Sequence, residues 1–160
     1  MPAVIFDIWV TLTVAEPKVP RIDFYILADT LGEARDRFCC RLATKAWRDG
    51  HTVFIRTDSE AQAEQIDQLL WTHKPGSFIP HGRQPDDGET PIVIATSAQP
   101  GDLVINLAED LPPDWGQRGR VAEILTADPV NRDAGRQRYR QYQQAGTKPF
   151  THQIADQELS

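Results

Sequence analysis

The sequence predicts an α/β fold, a three-layer sandwich in which helices cover both faces of a largely parallel central sheet. Segments typical of strands and of amphipathic helices alternate along the chain, which is the order that strand-helix-strand units produce. The chain has 160 residues, of which 40% are hydrophobic and 25% are charged. This length and balance are typical of one globular domain with a core large enough to need neither a disulfide nor a metal.

The first elements are a strand, a helix and a second strand. Residues 22–27 have the β-branched and aromatic content of a strand. Residues 31–49 carry apolar side chains at helical spacing, and Gly50 follows where a helix terminator belongs. The short apolar run at 52–56 predicts the second strand.

A second helix and a loop follow. Asp58 or Ser59 is a suitable N-cap, and we expect the helix to end near Trp71. The next residues, through 82, are rich in proline and glycine, which predicts an ordered loop rather than regular structure.

Three further strands and one helix complete the pattern. The apolar runs at 91–96, 103–107 and 120–126 predict strands. Asp128 with a proline after it predicts a helix start, and we expect this helix to reach about Ala145, with a glycine as its terminator.

The organisation along the chain is one domain with two flanking segments. Residues 1–20 are an N-terminal extension without an inferred role, 21–150 are the α/β domain, and 151–160 are a polar tail that we expect to be partly disordered. The apolar start lacks a preceding Lys or Arg and contains Asp7, unlike a signal peptide. No apolar run reaches the roughly 20 residues that span a bilayer, so we expect a cytoplasmic protein without a membrane partner.

Several kinds of active site are not supported by the sequence. It contains neither a phosphate-binding GxxxxGK[ST] loop nor a GxSxG nucleophile turn. Cys39 and Cys40 are adjacent in a predicted helix, which favours reduced, buried structural thiols. The four histidines are His51, His73, His81 and His152, and they do not have the spacing of metal ligands. We therefore expect no metal and no cofactor.

One N-terminal motif suggests a hydrolase. FDIWVTLT resembles the first motif of the haloacid dehalogenase superfamily, in which Asp7 would be the nucleophile and Thr11 follows four residues later. Trp9 and Val10 depart from that motif, and no later motif follows. An extra strand or an incorrect translation start is the simpler interpretation.

Positive charge concentrates near the C-terminus of an otherwise acidic chain. The formal net charge is −6, yet residues 115–150 contain seven Lys or Arg against three Asp or Glu. On the last predicted helix, one narrow stripe contains Arg132, Arg136, Tyr139, Arg140 and Gln143. Like charges at this spacing repel each other, so we favour an anion-binding stripe over a solvated arginine face.

Five ordered blocks of the sequence resemble the chi subunit family of bacterial DNA polymerase III holoenzyme. They are IDFYIL, AxKAWRDGHTVFI, LLW…SFIPHG, GDLVINL and RQRYRQYQQAG, and the resemblance extends from residue 21 to about 152. It implies a domain similar to nucleotide-binding domains but without a phosphate loop. It also implies a non-catalytic subunit of the nucleotidyltransferase holoenzyme, located with the replisome at the nucleoid.

The resemblance implies two partners and a role in DNA replication. One is the psi subunit of the clamp loader, and the other is the acidic C-terminal tail of single-stranded DNA-binding protein, so contact with DNA would be mainly indirect. Arg136 matches the position that binds the terminal carboxylate of the tail. The remaining positions implied for tail binding are Arg132, Tyr139, Arg140, Leu125 and Trp71.

The psi-binding surface implied by the resemblance contains Phe78, Pro80 and His81. Phe78 is either an exposed anchor or a buried core residue, and His81 is expected to order the loop. Whether a helicase also uses this surface stays open. The alternative function is direct binding of single-stranded nucleic acid through the basic helix, which would give steep salt dependence.

Overall fold

The computed structural model describes residues 19–73, 78–83 and 90–155, which form an open, six-stranded parallel sheet with three helices. The strands are β1 (Arg21–Leu27), β2 (Val53–Arg56), β3 (Ile92–Ala95), β4 (Leu103–Asn106), β5 (Arg120–Leu125) and β6 (Phe150–Ile154). The helices are α1 (Gly32–Arg48), α2 (Glu60–Thr72) and α3 (Pro129–Gln144), with one 3₁₀ turn at Trp115–Gln117. None of the helices in these ranges is long and apolar enough to cross a bilayer.

The strand order is β3-β2-β4-β5-β1-β6, and every neighbouring pair is parallel. Among the described strands, the first, β1, therefore lies between the last two, β5 and β6. Within it, Ile22 pairs with Val121 of β5 and Tyr25 pairs with His152 of β6. The sheet is thus completed by contacts between distant parts of the sequence.

Helices cover both faces of the sheet, which confirms the predicted three-layer α/β fold. Leu27 and Ile55 point towards α1 and α2, and they belong to the larger apolar cluster. Phe24 and Leu125 point to the other face, where Tyr142 of α3 packs on them. This alternation follows from the two-residue repeat of a strand.

Local signals place the helix ends where the sequence predicts them. The side chains of Ser59 and Asp128 accept hydrogen bonds from backbone N–H groups in the first turns of α2 and α3. Pro129 occupies the first position of α3. Gly50 and Gly146 follow α1 and α3 with φ of 91° and 99°, a conformation that favours glycine.

Irregular segments, rather than a helix, cover β2 on the α3 face. The connection between β3 and β4 passes directly over Phe54, where a Cβ on Gly101 would lie 2.9 Å from the Phe54 backbone nitrogen. Arg118 closes this region, because its guanidinium lies 5.4 Å from the centre of the Phe54 ring and donates to the Gly101 carbonyl. A side chain at residue 101 would push the crossover off the sheet.

The strand β6 was not predicted from the sequence, which indicated a polar tail from residue 151. The sheet continues through Ile154, while 156–160 lie outside the described residues. His152 attaches β6 to β1, since its Nε2 lies 2.8 Å from Oδ1 of Asp23 and its ring stacks on Tyr25 at 4.9 Å. A polar edge strand of this kind has no apolar alternation that sequence analysis could detect.

The two cysteines are free and buried in the larger cluster, as the sequence predicts. Burial raises the pKa of Cys40 to about 12 and holds the pKa of Cys39 well above its ordinary value. Both side chains therefore remain protonated thiols that pack as small apolar groups. Asp7, Thr11 and the rest of the N-terminal extension up to residue 18 lie outside the described residues.

Candidate functional site

The helix α3 lies close to the sheet through a flank of three buried residues, Gly135, Arg138 and Tyr142. A Cβ on Gly135 would collide with the methyl groups of Leu125, so glycine permits this close approach. Helical spacing places Ala134, Tyr142 and Ala145 away from the stripe, which predicts that they pack on the sheet. Tyr142 is confirmed, but Ala145 is exposed and an arginine occupies part of the interface.

Three of the predicted stripe residues present cations along the other flank of α3. Arg132 is anchored, since its Nε donates to the Thr126 carbonyl oxygen at 3.0 Å. The Arg136 side chain is 62% exposed and lies 3.1 Å from the carboxylate of Asp133. Arg140 is exposed and pairs with no carboxylate in the part of the chain that the structure describes. The single acid Asp133 reduces the self-repulsion that the sequence suggested.

Tyr139 fixes the direction in which this stripe faces. Its ring meets the ring of Phe24 edge-on at 5.1 Å, and its hydroxyl donates to the Pro149 carbonyl oxygen at 3.5 Å. These contacts lie towards β1 and β6. The half-buried ring of Tyr139 therefore lies on the side of α3 that faces β1 and β6.

Leu125 lies beneath α3 rather than in an open pocket. Only 4% of its surface is exposed, and its methyl groups fill the space that Gly135 leaves. It can support the position of the stripe from below. In this arrangement it has no free surface for a ligand.

Trp71 does not join the stripe, contrary to the expectation that it lies near Leu125 and Tyr139. It belongs to the end of α2, which packs on the opposite face of the sheet from α3. Its neighbours are Phe78, at a ring distance of 5.9 Å, and His81, at 4.6 Å. Proximity along the chain could not tell which layer this side chain would occupy.

Trp71 and Phe78 instead form an exposed apolar patch on the α2 layer. Phe78 is 68% exposed and Trp71 is 51% exposed, whereas the adjacent Ile79 is buried. Of the two predicted roles, Phe78 thus has the exposure of an anchor, and Ile79 fills the core. Pro80 is half-buried beside them.

His81 orders this loop, as predicted. Its buried ring bonds through Nδ1 to the Ile79 carbonyl oxygen at 2.6 Å. Nε2 lies 3.2 Å from a carboxylate oxygen of Asp67 on α2, an ion-pair distance without hydrogen-bond alignment. The histidine therefore joins the loop to the helix beneath the patch.

A buried polar network beside the stripe was missed by sequence reasoning. Glu123 is fully buried in β5 and accepts hydrogen bonds from Arg138 at 3.0 Å, Tyr142 at 2.7 Å and Asn106 at 3.0 Å. Burial raises the pKa of Glu123, although Arg138 opposes the rise, and burial also raises the pKa of Tyr142. The available signal was a glutamate in the middle of an apolar strand, which requires a buried cation nearby.

The stripe can bind an extended anion with an apolar end. A guanidinium can hold both oxygens of a carboxylate in one plane, and Arg136 is free on its outer side to do so. Arg132 and Arg140 extend the positive potential along the helix. The ring of Tyr139 adds an aromatic surface between them.

A family model described as DNA polymerase III chi subunit, HolC, matches residues 19–149. Curated relatives named DNA polymerase III subunit chi match as well. The protein from Pseudomonas aeruginosa is 36% identical over 137 residues, covering 84% of this chain and 96% of the relative. That from Haemophilus influenzae is 31% identical, with coverages of 82% and 95%.

The chi subunit of Escherichia coli strain K12 is 29% identical over 120 residues, which cover 71% of this chain and 81% of the relative. The family match includes every helix and the first five strands described above. It confirms the resemblance that the sequence blocks indicated. The chain belongs to the DNA polymerase III chi subunit family.

Proposed function

We propose that this protein is an accessory subunit of the replicative polymerase assembly that has no catalytic activity of its own. It joins the psi subunit of the clamp loader to the C-terminal tail of single-stranded DNA-binding protein. Its family supports the polymerase context. Two separate surfaces, the stripe on α3 and the patch of Trp71 and Phe78 on the α2 layer, support a connecting role because both can be occupied at once.

The exposed guanidinium of Arg136, one helical turn before Tyr139 on α3, is the observation that carries this proposal. An acidic peptide that ends in an aromatic residue offers a carboxylate and a ring close together. Arg136 binds the terminal carboxylate, and Tyr139 contacts the ring. Arg132 and Arg140 attract the acidic residues that precede the end of the peptide.

The psi subunit binds the patch on the other layer. An exposed phenylalanine beside a tryptophan is the kind of aromatic pair that anchors a protein interface. His81 supports the pair from below through its bonds to Ile79 and its contact with Asp67. Pro80 limits the loop backbone and so lowers the entropy lost on binding.

Titration of a fluorescent acidic peptide with a C-terminal aromatic residue tests the tail-binding surface. The free-carboxylate peptide should bind, and its amidated form should bind much more weakly. Arg136→Ala should weaken binding by more than about 1.5 kcal/mol, the scale of a charged hydrogen bond. Arg37→Ala is the matched control, because Arg37 is a partly exposed arginine that pairs with Glu33 on the other layer.

Equal binding of both peptide forms, or an unchanged affinity of Arg136→Ala, would contradict carboxylate recognition by the stripe. In that case the arginines of the stripe favour a second candidate function, direct binding of single-stranded nucleic acid. That function predicts an affinity for bare oligonucleotide that falls steeply with salt.

The psi-binding surface is tested separately by Phe78→Ala and by calorimetry with purified psi subunit. The substitution should weaken psi binding by about 2 kcal/mol or more, as expected for an aromatic anchor. Leu31→Ala is the control, since Leu31 is an exposed apolar residue that precedes α1. The same affinity for psi in Phe78→Ala and the unaltered protein would show that the patch is not the anchor.

A further inference from the structure

We propose that Arg83 is a positioning residue, which fastens the loop that carries Phe78 to α2 and so holds the patch of Trp71 and Phe78 in its binding arrangement. This inference rests on the proposed psi-binding role of the patch. Arg83 lies at the far end of the described loop segment 78–83, away from Phe78 in the sequence. It acts through the position of the loop and not through contact with psi.

Three acids and a tryptophan form one row along α2. They are spaced by four, three and four residues, which keeps them on one side of the helix: Glu60, Glu64, Asp67 and Trp71. Two side chains of the loop contact the three acids. The contacts that fasten the loop and the exposed ring of the patch therefore share one surface of the helix.

Arg83 joins two of these acids. Its Nη1 atom donates to a carboxylate oxygen of Glu64 at 2.6 Å, and its Nη2 atom donates to the carboxylate of Glu60, one turn earlier on α2. A guanidinium shared by two carboxylates is fixed in direction. The carboxylates of Glu60 and Glu64 are 69% and 57% exposed. Exposed ion pairs contribute little to global stability, so the effect of Arg83 is local.

Backbone hydrogen bonds attach the same loop to the sheet. The N–H of Gly82 donates to the Ile92 carbonyl oxygen at 2.9 Å, and the Gly82 carbonyl oxygen accepts from the N–H of Ile94 at 2.8 Å. These bonds fix the loop relative to β3. Its contacts with the acids of α2 come from His81 and Arg83, and they set how the loop lies on the helix.

Phe78 depends on these contacts because its own side chain is 68% exposed and has little packing around it. Its ring lies 5.9 Å from the ring of Trp71. One ring belongs to the loop and the other to α2, so their separation follows from how the loop lies on the helix. An aromatic pair that is held in place before binding loses less conformational entropy when the partner arrives. Arg83 therefore raises the affinity of the patch without touching the partner.

Amide hydrogen exchange tests the fastening in the absence of any partner. Arg83→Gln should speed exchange at the N–H groups of Gly82 and Ile94 by about threefold or more, because the loop opens more often. The N–H of Val104, in the buried strand β4, should exchange as in the unaltered protein. Unchanged exchange at Gly82 and Ile94 would overturn the proposal whether or not psi binds the patch.

Calorimetry with purified psi subunit tests the effect on binding. Arg83→Gln should weaken psi binding by about threefold or more, the scale of ordering one side chain on binding. The denaturant midpoint should stay nearly unchanged. Arg37→Gln is the matched control, because it breaks another partly exposed ion pair, with Glu33 on α1, and it should bind psi as the unaltered protein does.

The same titration with Phe78→Ala separates this proposal from the proposed function. Weaker binding in Phe78→Ala with unchanged affinity in Arg83→Gln would overturn the positioning role alone. Unchanged affinity in Phe78→Ala would remove the psi-binding surface itself, and with it the role of Arg83 in binding.

Reversal of the charges separates positioning from direct contact. Arg83→Glu repels the two carboxylates and should weaken psi binding more than Arg83→Gln does. Glu64→Lys, added to Arg83→Glu, restores a pair of opposite charges at the same place and should recover most of the affinity. A partner that contacted Arg83 directly would not regain this affinity, so absence of recovery would overturn the proposal.

Discussion

Two arginines of α3, Arg136 and Arg138, are two residues apart and have opposite environments. Arg138 is 3% exposed, and its Nε donates to a fully buried glutamate at 3.0 Å. Arg136 projects into solvent beside Asp133. The inner flank of the helix therefore contains a closed set of hydrogen bonds, whereas the outer flank leaves guanidinium groups available.

This difference shows that residue type alone does not assign a role to a charge on a helix. The position around the helix axis decides whether an arginine neutralises a buried partner or meets a ligand. The inner arginine should therefore control the stability of the fold, and the outer one should control binding. Each substitution below tests one side of that division.

Arg138→Ala should have the largest effect, a loss of about 3–5 kcal/mol in the free energy of unfolding, because it leaves a buried carboxylate without its cation. Denaturant unfolding measures the loss. Arg138→Lys retains the charge but has fewer hydrogen-bond donors. Its free energy of unfolding should lie between those of Arg138→Ala and the unaltered protein. An Arg138→Ala protein as stable as the unaltered chain would remove the structural role assigned to the inner flank.

The loss caused by Arg138→Ala should also depend on pH. Burial raises the pKa of Glu123, and removal of Arg138 raises it further. The folded variant then keeps a proton that the unfolded chain releases above its ordinary pKa of about 4.3, so stability falls as pH rises through that window. Denaturant unfolding should show a larger loss at pH 8 than at pH 5. Adding Glu123→Gln should abolish this difference.

Gly135→Ala should have an intermediate effect, about 1–3 kcal/mol, because the new methyl group overpacks the contact with Leu125. Denaturant unfolding measures it, and the shift of α3 should also weaken peptide binding. Gly32→Ala is the control, since nothing lies within 4 Å of a Cβ at that position. An unchanged free energy of unfolding in Gly135→Ala would mean that α3 has room to move away from β5.

Arg136→Ala should have the smallest effect on folding, within about 0.5 kcal/mol, because surface ion pairs contribute little. The measurement is the same denaturant curve, with the peptide titration run on the same preparation. A large loss of stability together with a loss of binding would end the division between the two flanks, because both would then depend on the fold.

The sequence predicts the elements whose signals are local. Ser59, Asp128 with Pro129, and the two glycines after α1 and α3 mark helix ends through contacts within a few residues. The strand β6 was missed because its attachment depends on Asp23, far away in the chain. Three groups hold the Asp23 carboxylate, and such long-range partners cannot be read from a local pattern.

The candidate site is predicted in part for the same reason. Helical spacing alone places Arg132, Arg136 and Arg140 on one stripe, and the structure presents all three on that side. The layer occupied by Trp71 and the burial of Leu125 depend on how α2 and α3 dock on the sheet. Those positions follow from tertiary packing, which cannot be predicted from the spacing of residues along the chain.

The position of β1 between β5 and β6 affects how the protein folds during synthesis. When the ribosome has made residues 21–27, neither neighbour of that strand exists. At about 5–20 residues per second, the chain up to Ile154 takes several seconds more to appear. Until β5 is made, β1 has two unpaired edges, and until β6 is made it has one. Unpaired edges are templates for association with other chains. The strand β1 is therefore a segment that a chaperone has reason to bind before synthesis ends.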